Sequence, residues 1–265
     1  MKTVMVLIHN DAGQEARLQC ALDVVRAVEG HLVCLDIVQL PVVADGFGVG
    51  TASAMLIVDE REREDQNVEA LTPRLAGEGI SYEWSRVHTN SDIAITEAAR
   101  LVDLLVVGRR GIGDFAESGD MAARLAELSS APVLLVPTEQ KSLDLGGKAL
   151  VTWDGSSAND AAIRAAAPLL RLASEVEVLT VGDTGNDADP AEAAVYLAHY
   201  GCRVTARREP KTGDVPAQLL DAMHRSGAAW CVMGSYGHSR LREFLFGGAS
   251  RALFAKAPIP LFVSH

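Results

Sequence analysis

The sequence predicts an α/β fold made of two tandem doubly wound, Rossmann-like parallel sheets, each five-stranded with helices on both faces. Three observations carry that prediction. Short runs of branched apolar residues alternate with segments of helical periodicity along the whole chain, the pattern of a parallel sheet with helical crossovers. The order of elements then begins again after residue 147. Spacings also repeat: Asp92…Gly108-Arg109-Arg110-Gly111 answers Asp214…Gly234-Ser235-Tyr236-Gly237, and the stretch from Arg124 to Val136 is as long as that from Arg251 to Val263. Duplication of one unit explains all three. The chain of 265 residues accordingly divides into a first domain at 1–137, a linker at 138–147 and a second domain at 148–265.

In the first half, Thr3 to Ile8 reads as a strand, and Leu18, Ala21, Leu22, Val25 and Val28 mark a helix that Gly30 stops. His31 to Val38 is the second strand. Pro41 to Ser53, with Gly46, Gly48 and Gly50, reads as a flexible loop, since no Rossmann-type strand, helix and downstream acid surround its glycines. The next helix runs from about Ala54 to Ala76 and carries the charge run Asp59 to Asp65, whose alternating signs predict a solvated face with local ion pairs. Ser81 to Val87 is a strand, Ser91-Asp92 caps a helix reaching Leu101, and Leu104 to Val107 is a strand ending at Gly108. A helix from Met121 to Ser129 and a strand from Ala131 to Val136 complete the half. Thr138 to Gly147, polar and ending in two glycines, is the linker.

The second half repeats the scheme. Ala149 to Thr152 is a strand, Ala162, Ala165, Ala166, Leu169, Leu170 and Ala173 mark a helix, and Pro168 within it predicts a kink by removing a backbone donor. Val176 to Val181 is a strand, Pro190 to Tyr200 a helix, Cys202 to Arg208 a strand, and Asp214 to His224 a capped helix stopping near Gly227. Trp230 to Met233 and Leu261 to Ser264 are the last strands.

Composition narrows the function. A net charge of −11 argues against nucleic acid as a main partner, because phosphate backbones reward clustered Lys and Arg. No apolar run approaches the roughly 20 residues of a membrane span, and the start lacks a signal-peptide pattern, so a cytoplasmic protein without membrane partners is expected. Cys20, Cys34, Cys202 and Cys231 form no CxxC pair and sit in or beside apolar runs, as small buried hydrophobes would. The seven histidines lack metal-ligand spacing, so no metal site is expected.

The strand from Trp230 to Met233 ends in Gly234, followed by Gly237 and, after nine residues, by Gly247-Gly248-Ala249-Ser250 before an amphipathic segment. Glycines where a strand passes into a helix let backbone N–H groups close on an anion, and the helix N-terminus adds unpaired donors. This Gly-x-x-Gly-x9-Gly pattern resembles the nucleotide-binding signature of the universal stress proteins. Ala257-Pro258-Ile259-Pro260-Leu261-Phe262-Val263 is similar to that family's last strand, and Val151-Thr152-Trp153-Asp154-Gly155-Ser156 to its first strand and turn. The whole chain resembles a tandem universal stress protein, more strongly in its second half.

That resemblance implies an adenine nucleotide, ATP or AMP, with or without Mg²⁺, held in the second half. Asp154 and the backbone at Val181 would face the adenine side. Gly234, Ser235, Gly237 and His238 would line ribose and the first phosphate, and Gly247, Gly248, Ala249 and Ser250 the outer phosphates. The family's Ser or Thr after the last signature glycine is replaced here by Gly248. In the first half Met121 stands where Gly247 does in the second, Asp120 follows Gly119, and the segment from Asp114 to Asp120 contains three acids and no base. Carboxylates there repel phosphate. Near the end of the first strand, His9 and Asn10 stand where Asp154 does, with Asp11 one or two places late.

The family also places its final strands together, so Pro132–Val136 is expected near Pro260–Ser264. The same resemblance implies a stress-response module that signals its occupancy to a protein partner the sequence does not name, with a homodimer open as an assembly. An interaction scaffold that binds no nucleotide and a slow ATP hydrolase are the alternatives. Against an enzyme, Gly147-Lys148 is followed by Ala149 and has Ser142 in place of a P-loop's first glycine, and no Gly-x-Ser-x-Gly elbow is present.

Overall fold

The computed structural model describes residues 1–38, 52–88, 92–109, 120–183, 188–234 and 253–265, and at 52–56 and 120 the backbone alone. In the first half β1 (Thr3–Ile8), α1 (Gln14–Val28), β2 (His31–Val38), α2 (Ala52–Gly77), β3 (Ser81–His88), α3 (Asp92–Ala98), β4 (Leu104–Gly108), α4 (Asp120–Leu128) and β5 (Val133–Val136) follow one another. The second half brings β6 (Ala149–Thr152), α5 (Ser157–Leu170), β7 (Val176–Val181), α6 (Pro190–His199), β8 (Val204–Glu209), α7 (Val215–Ser226), β9 (Trp230–Gly234) and β10 (Leu261–Ser264). The expected loop at 41–53 falls mostly outside the described residues.

The two five-stranded units fuse into one ten-stranded sheet of order β3-β2-β1-β4-β5-β10-β9-β6-β7-β8. All pairings within each half are parallel, and the halves meet where β5 and β10 run antiparallel, with Leu261 opposite Leu135 and Val263 opposite Val133. Pro132–Val136 and Pro260–Ser264 thus lie together, as the resemblance implied. Each half has the order of a doubly wound unit whose strand direction of travel reverses beside its first strand, which opens a crevice at the carboxyl ends of the neighbouring strands.

Residues alternate across this sheet. Val4, Val6 and Ile8 join Leu18, Leu22 and Val25 of α1, and α5 residues Ala162, Ala166 and Leu169, in one apolar layer. Met5 and Leu7 face the other way, with Ile95, Leu125 and Met223 from α3, α4 and α7. Successive strand side chains point to opposite faces, so strands covered on both sides need apolar residues throughout. The edge strands β3 and β8 instead alternate between exposed and half-buried positions. The linker is docked rather than loose: Leu143 and Leu145 are buried, and the Leu143 N–H donates to Asp23 Oδ2 at 2.8 Å.

Helix ends follow their local chemistry. Asp214 caps α7 by accepting from the Ala217 N–H, and Gly227 ends that helix in the left-handed region at φ 66°. Glu29, rather than Gly30, takes the left-handed position after α1, at φ 48°. Pro168 falls in the last turn of α5, which runs two residues beyond it to Leu170. All four cysteines are buried and unbridged, and burial pushes the thiols of Cys20, Cys34 and Cys231 up to about 12.

One buried carboxylate ties the second half together. Glu177 on β7 meets Lys148 Nζ at 2.5 Å and Arg207 Nε at 2.8 Å. Burial works against ionisation, yet hydrogen bonds and charge from Lys148 and Arg207 prevail and hold its carboxyl below the usual range. A depressed carboxyl stabilises the fold above the unfolded-state pKa and loses that contribution as pH falls through the folded-state value. Glu177→Gln is therefore expected to be less stable than the wild type at pH 7. The gap should close as the pH drops below about 4, which urea titrations at both pH values will measure; a pH-independent gap would contradict this account of the pair.

Candidate functional site

The carboxyl ends of β6, β7 and β9 converge in the second half. After β6, Asp154 Oδ1 accepts from the Ser156 N–H at 2.9 Å, forming a tight turn. Ser156 is the N-cap of α5, its Oγ accepting from the Asn159 N–H at 3.3 Å. The Asn159 amide then joins two strands: its Nδ2 donates to Asp154 Oδ1 at 2.6 Å, while its Oδ1 accepts from the Gly234 N–H at 3.0 Å. Asp154, the start of α5 and the end of β9 are therefore one hydrogen-bonded unit.

Gly234 is required here by space. A Cβ at this position would lie 2.5 Å from the Asn159 backbone N and 2.6 Å from the Ala158 carbonyl carbon. Only glycine lets β9 pass this close to the first turn of α5. Gly155 answers a second demand, with φ at 75° and no room for a Cβ against Ala188. Arg208 fixes the far side, donating from Nη1 to the Gly182 carbonyl at 3.0 Å and from Nη2 to the Ala188 carbonyl at 2.5 Å. A cavity beside it, at the ends of β7 and β8, is lined by Gly182, Asp183, Arg208, Glu209, Pro210 and Lys211. The arrangement offers a carboxylate-bearing turn, a helix N-terminus and a glycine strand end on one rim of the sheet.

Of the residues the sequence singles out, the structure brings Asp154 and Gly234 together through Asn159 and places Val181 half-buried at the end of β7. Ser235, Gly237, His238, Gly247, Gly248, Ala249 and Ser250 lie outside the described residues, as do Gly111 and Asp114. Sequence reasoning missed Asn159 and Arg208. A Ser-x-x-Asn spacing at the start of a helix was the available signal for Asn159; Arg208 gave none, because its acceptors are carbonyls distant in sequence.

The corresponding turn in the first half carries a buried ion pair. Asp11 Oδ1 accepts from the Gly13 N–H at 2.7 Å, the same turn that Asp154 makes, and Gly13 precedes α1 as Ser156 precedes α5. Counted from the helix cap, Asp11 is thus the true counterpart of Asp154, and its apparent lateness reflects one extra residue after the strand. Its carboxylate is engaged by Arg17, whose Nη1 and Nη2 donate to both oxygens at 2.9 and 3.0 Å. The guanidinium, 1% exposed, also donates to the carbonyls of Leu7 at 3.0 Å and His9 at 3.2 Å. Asp160 holds the matching place in α5 and accepts from Trp153 Nε1 at 3.2 Å.

The charge run on α2 departs from its expected solvated role. Arg63–Glu60 and Arg61–Asp65 are local pairs at 3.6 and 4.0 Å. Glu64, however, is 1% exposed and meets His9 Nδ1 at 3.0 Å, and Asp65 pairs with Arg86 of β3. A helix packed on a sheet turns every third or fourth residue inward whatever its charge, and this one found a histidine below. Burial opposes protonation of His9, but the hydrogen bond and charge of Glu64 outweigh it and raise its pKa. Burial likewise opposes ionisation of Glu64, while His9, the Asn10 N–H and the Asn67 amide lower its pKa.

A family model described as the Universal stress protein family matches residues 1–137 and, a second time, residues 147–265. The chain belongs to the universal stress protein family. A universal stress protein from Archaeoglobus fulgidus DSM 4304 has a similar structure, with 19% identity and a TM-score of 0.74 over 99% of this chain and 95% of that one. A functionally unknown protein, PA1789, from Pseudomonas aeruginosa PAO1 superposes with a TM-score of 0.63 at 17% identity, over 99% and 92% of the two chains. These likenesses show the fold. Among curated proteins, Universal stress protein Slr1230 of Synechocystis is 23% identical over 167 residues, 60% of this chain and 56% of the relative's length.

As a tandem universal stress protein, the chain carries two copies of one scaffold whose equivalent turns differ in chemistry. In the second copy the turn carboxylate meets a neutral amide, and in the first it meets a buried guanidinium. Among the described residues, no helix is long and apolar enough to cross a membrane.

Proposed function

We propose that this universal stress protein binds one adenine nucleotide, AMP or ATP, in its second half, and that residues 148–265 form the binding domain while 1–137 form a packing and regulatory domain joined to it by 138–147. The observation carrying this reading is the Asp154–Asn159–Gly234 bridge, which holds a carboxylate and a glycine strand end on the crevice rim. Directly after that strand end the sequence continues as Gly234-x-x-Gly237-x9-Gly247. Asp154 orients the adenine side, the backbone at Val181 supports it, and Ser235, Gly237, His238, Gly247, Gly248, Ala249 and Ser250 cradle ribose and phosphates, with Mg²⁺ accompanying a triphosphate. The protein works as a cytoplasmic binding module that passes its occupancy to a protein partner, rather than as an enzyme.

Heating the protein with and without millimolar AMP or ATP tests the reading. A ligand specific for the folded state raises the melting point by mass action, by about 2.7 kcal/mol of stabilisation at a hundredfold excess over Kd. An unmoved midpoint would favour the scaffold reading, for which Gly248 in place of the family's hydroxyl residue is the specific support.

A further inference from the structure

We propose that His9, Glu60 and Glu64 form a binding site for a divalent transition ion of the zinc class, set in the first half between the carboxyl end of β1 and α2. His9 Nδ1 is ringed by oxygens: Glu64 Oε1 at 3.0 Å, the Ile37 carbonyl at 3.2 Å and Glu60 Oε1 at 3.9 Å. The ligand atoms of His9, Glu60 and Glu64 all lie within 4.8 Å of one another. Ligands about 2.0–2.2 Å from a tetrahedral zinc stand roughly 3.3–3.6 Å apart, so the spacings found need only small side-chain adjustment.

The support around these groups is that of a prepared site. Glu64 accepts from the Asn10 N–H at 3.2 Å through Oε1 and from Asn67 Nδ2 at 3.1 Å through Oε2, and Asn67 is itself gripped by Gln14 at 2.8 Å. Such outer contacts fix the direction of a ligating carboxylate. Glu60 and Glu64 project from the same face of α2, four residues apart, and Glu60 Oε2 lies 3.6 Å from Arg63.

Charge also calls for a dication. Asp11 answers Arg17, and Asp36 and Asp65 share Arg86, while among the described residues the cationic partners of Glu60 and Glu64 at short range are His9 and the exposed Arg63. Asp36 is 1% exposed and its Oδ1 has no hydrogen-bond partner among the described residues. Without metal, Nδ1 and Glu64 face each other at 3.0 Å; with the ion bound, the imidazole keeps its proton on Nε2, any proton on Nδ1 passes to solvent, and Nδ1 and the two carboxylates ligate the ion, pinning α2 to the end of β1.

The experiment uses the full-length chain, stripped with a chelator and dialysed against excess ZnCl₂ without nucleotide. The expected result is one zinc per chain by metal analysis and a higher melting point. Glu60→Gln and His9→Gln should each weaken zinc uptake at least about tenfold, and circular dichroism of each metal-free variant checks that it remains folded. His31→Gln, which removes a half-buried histidine on β2 at the other end of the sheet, should bind as the wild type does. Absence of zinc from the wild type, or undiminished binding by Glu60→Gln and His9→Gln, would overturn the proposal.

Discussion

Replacing Arg17 by methionine is expected to lower the unfolding free energy by about 3–5 kcal/mol, the cost of breaking a buried ion pair by removing one partner. The guanidinium touches four acceptors: both Asp11 oxygens and the carbonyls of Leu7 and His9, at 2.9 to 3.2 Å. Methionine fills much of the volume but strips the carboxylate of its cation; Asp11 Oδ1 keeps the Gly13 N–H and the His9 carbonyl keeps the Asp11 N–H, while the carboxylate charge is left uncompensated and retains its desolvation penalty. The loss is a large share of the roughly 5–15 kcal/mol that holds a domain folded. Pairing the change with Asp11→Leu should recover part of it, because the carboxylate is then no longer stranded. Urea titration of both variants decides the matter, and a loss below about 1 kcal/mol for Arg17→Met would contradict the assigned role.

Gly234→Val is expected to cost more than about 3 kcal/mol, beyond the usual range for overpacking. The atoms that a new Cβ meets at 2.5 and 2.6 Å belong to the backbone of Asn159 and Ala158, so no side-chain rotation relieves the contact. Either β9 leaves the first turn of α5, losing the bond between the Gly234 N–H and Asn159, or the turn moves and takes Asp154 with it. Gly213→Ala is the control: a Cβ there meets nothing within 4 Å, and a change within about 0.5 kcal/mol is expected. Thermal or chemical denaturation of the pair will show the contrast, and equal effects would refute the close-approach argument.

Much of this architecture was legible in the sequence, because strands buried on both faces must be apolar throughout while their helices keep a period near 3.6. Thr3–Ile8, His31–Val38 and Val176–Val181 fall where those patterns place them. The merging of the halves across β5 and β10 came from the family resemblance, since two apolar edge strands do not name their partner. Long-range polar pairs were invisible. Glu64 and His9 are 55 positions apart in the numbering of the sequence, and an alternating charge run on a helix says nothing about which carboxylate faces inward. Asp11 was offset because strand ends and helix caps give different counts when a turn gains one residue, and its hydrogen bond to Gly13 shows that the cap governs.

The central proposal is that the second copy binds a nucleotide and the first, whose turn carboxylate is paired with the buried Arg17, does not. Calorimetric titration of the full-length protein with AMP or ATP, alongside Gly237→Val and Gly111→Val, tests it most directly. One nucleotide per chain is expected, lost in Gly237→Val and kept in Gly111→Val. Two equivalents per chain, or loss of binding in Gly111→Val with retention in Gly237→Val, would contradict it.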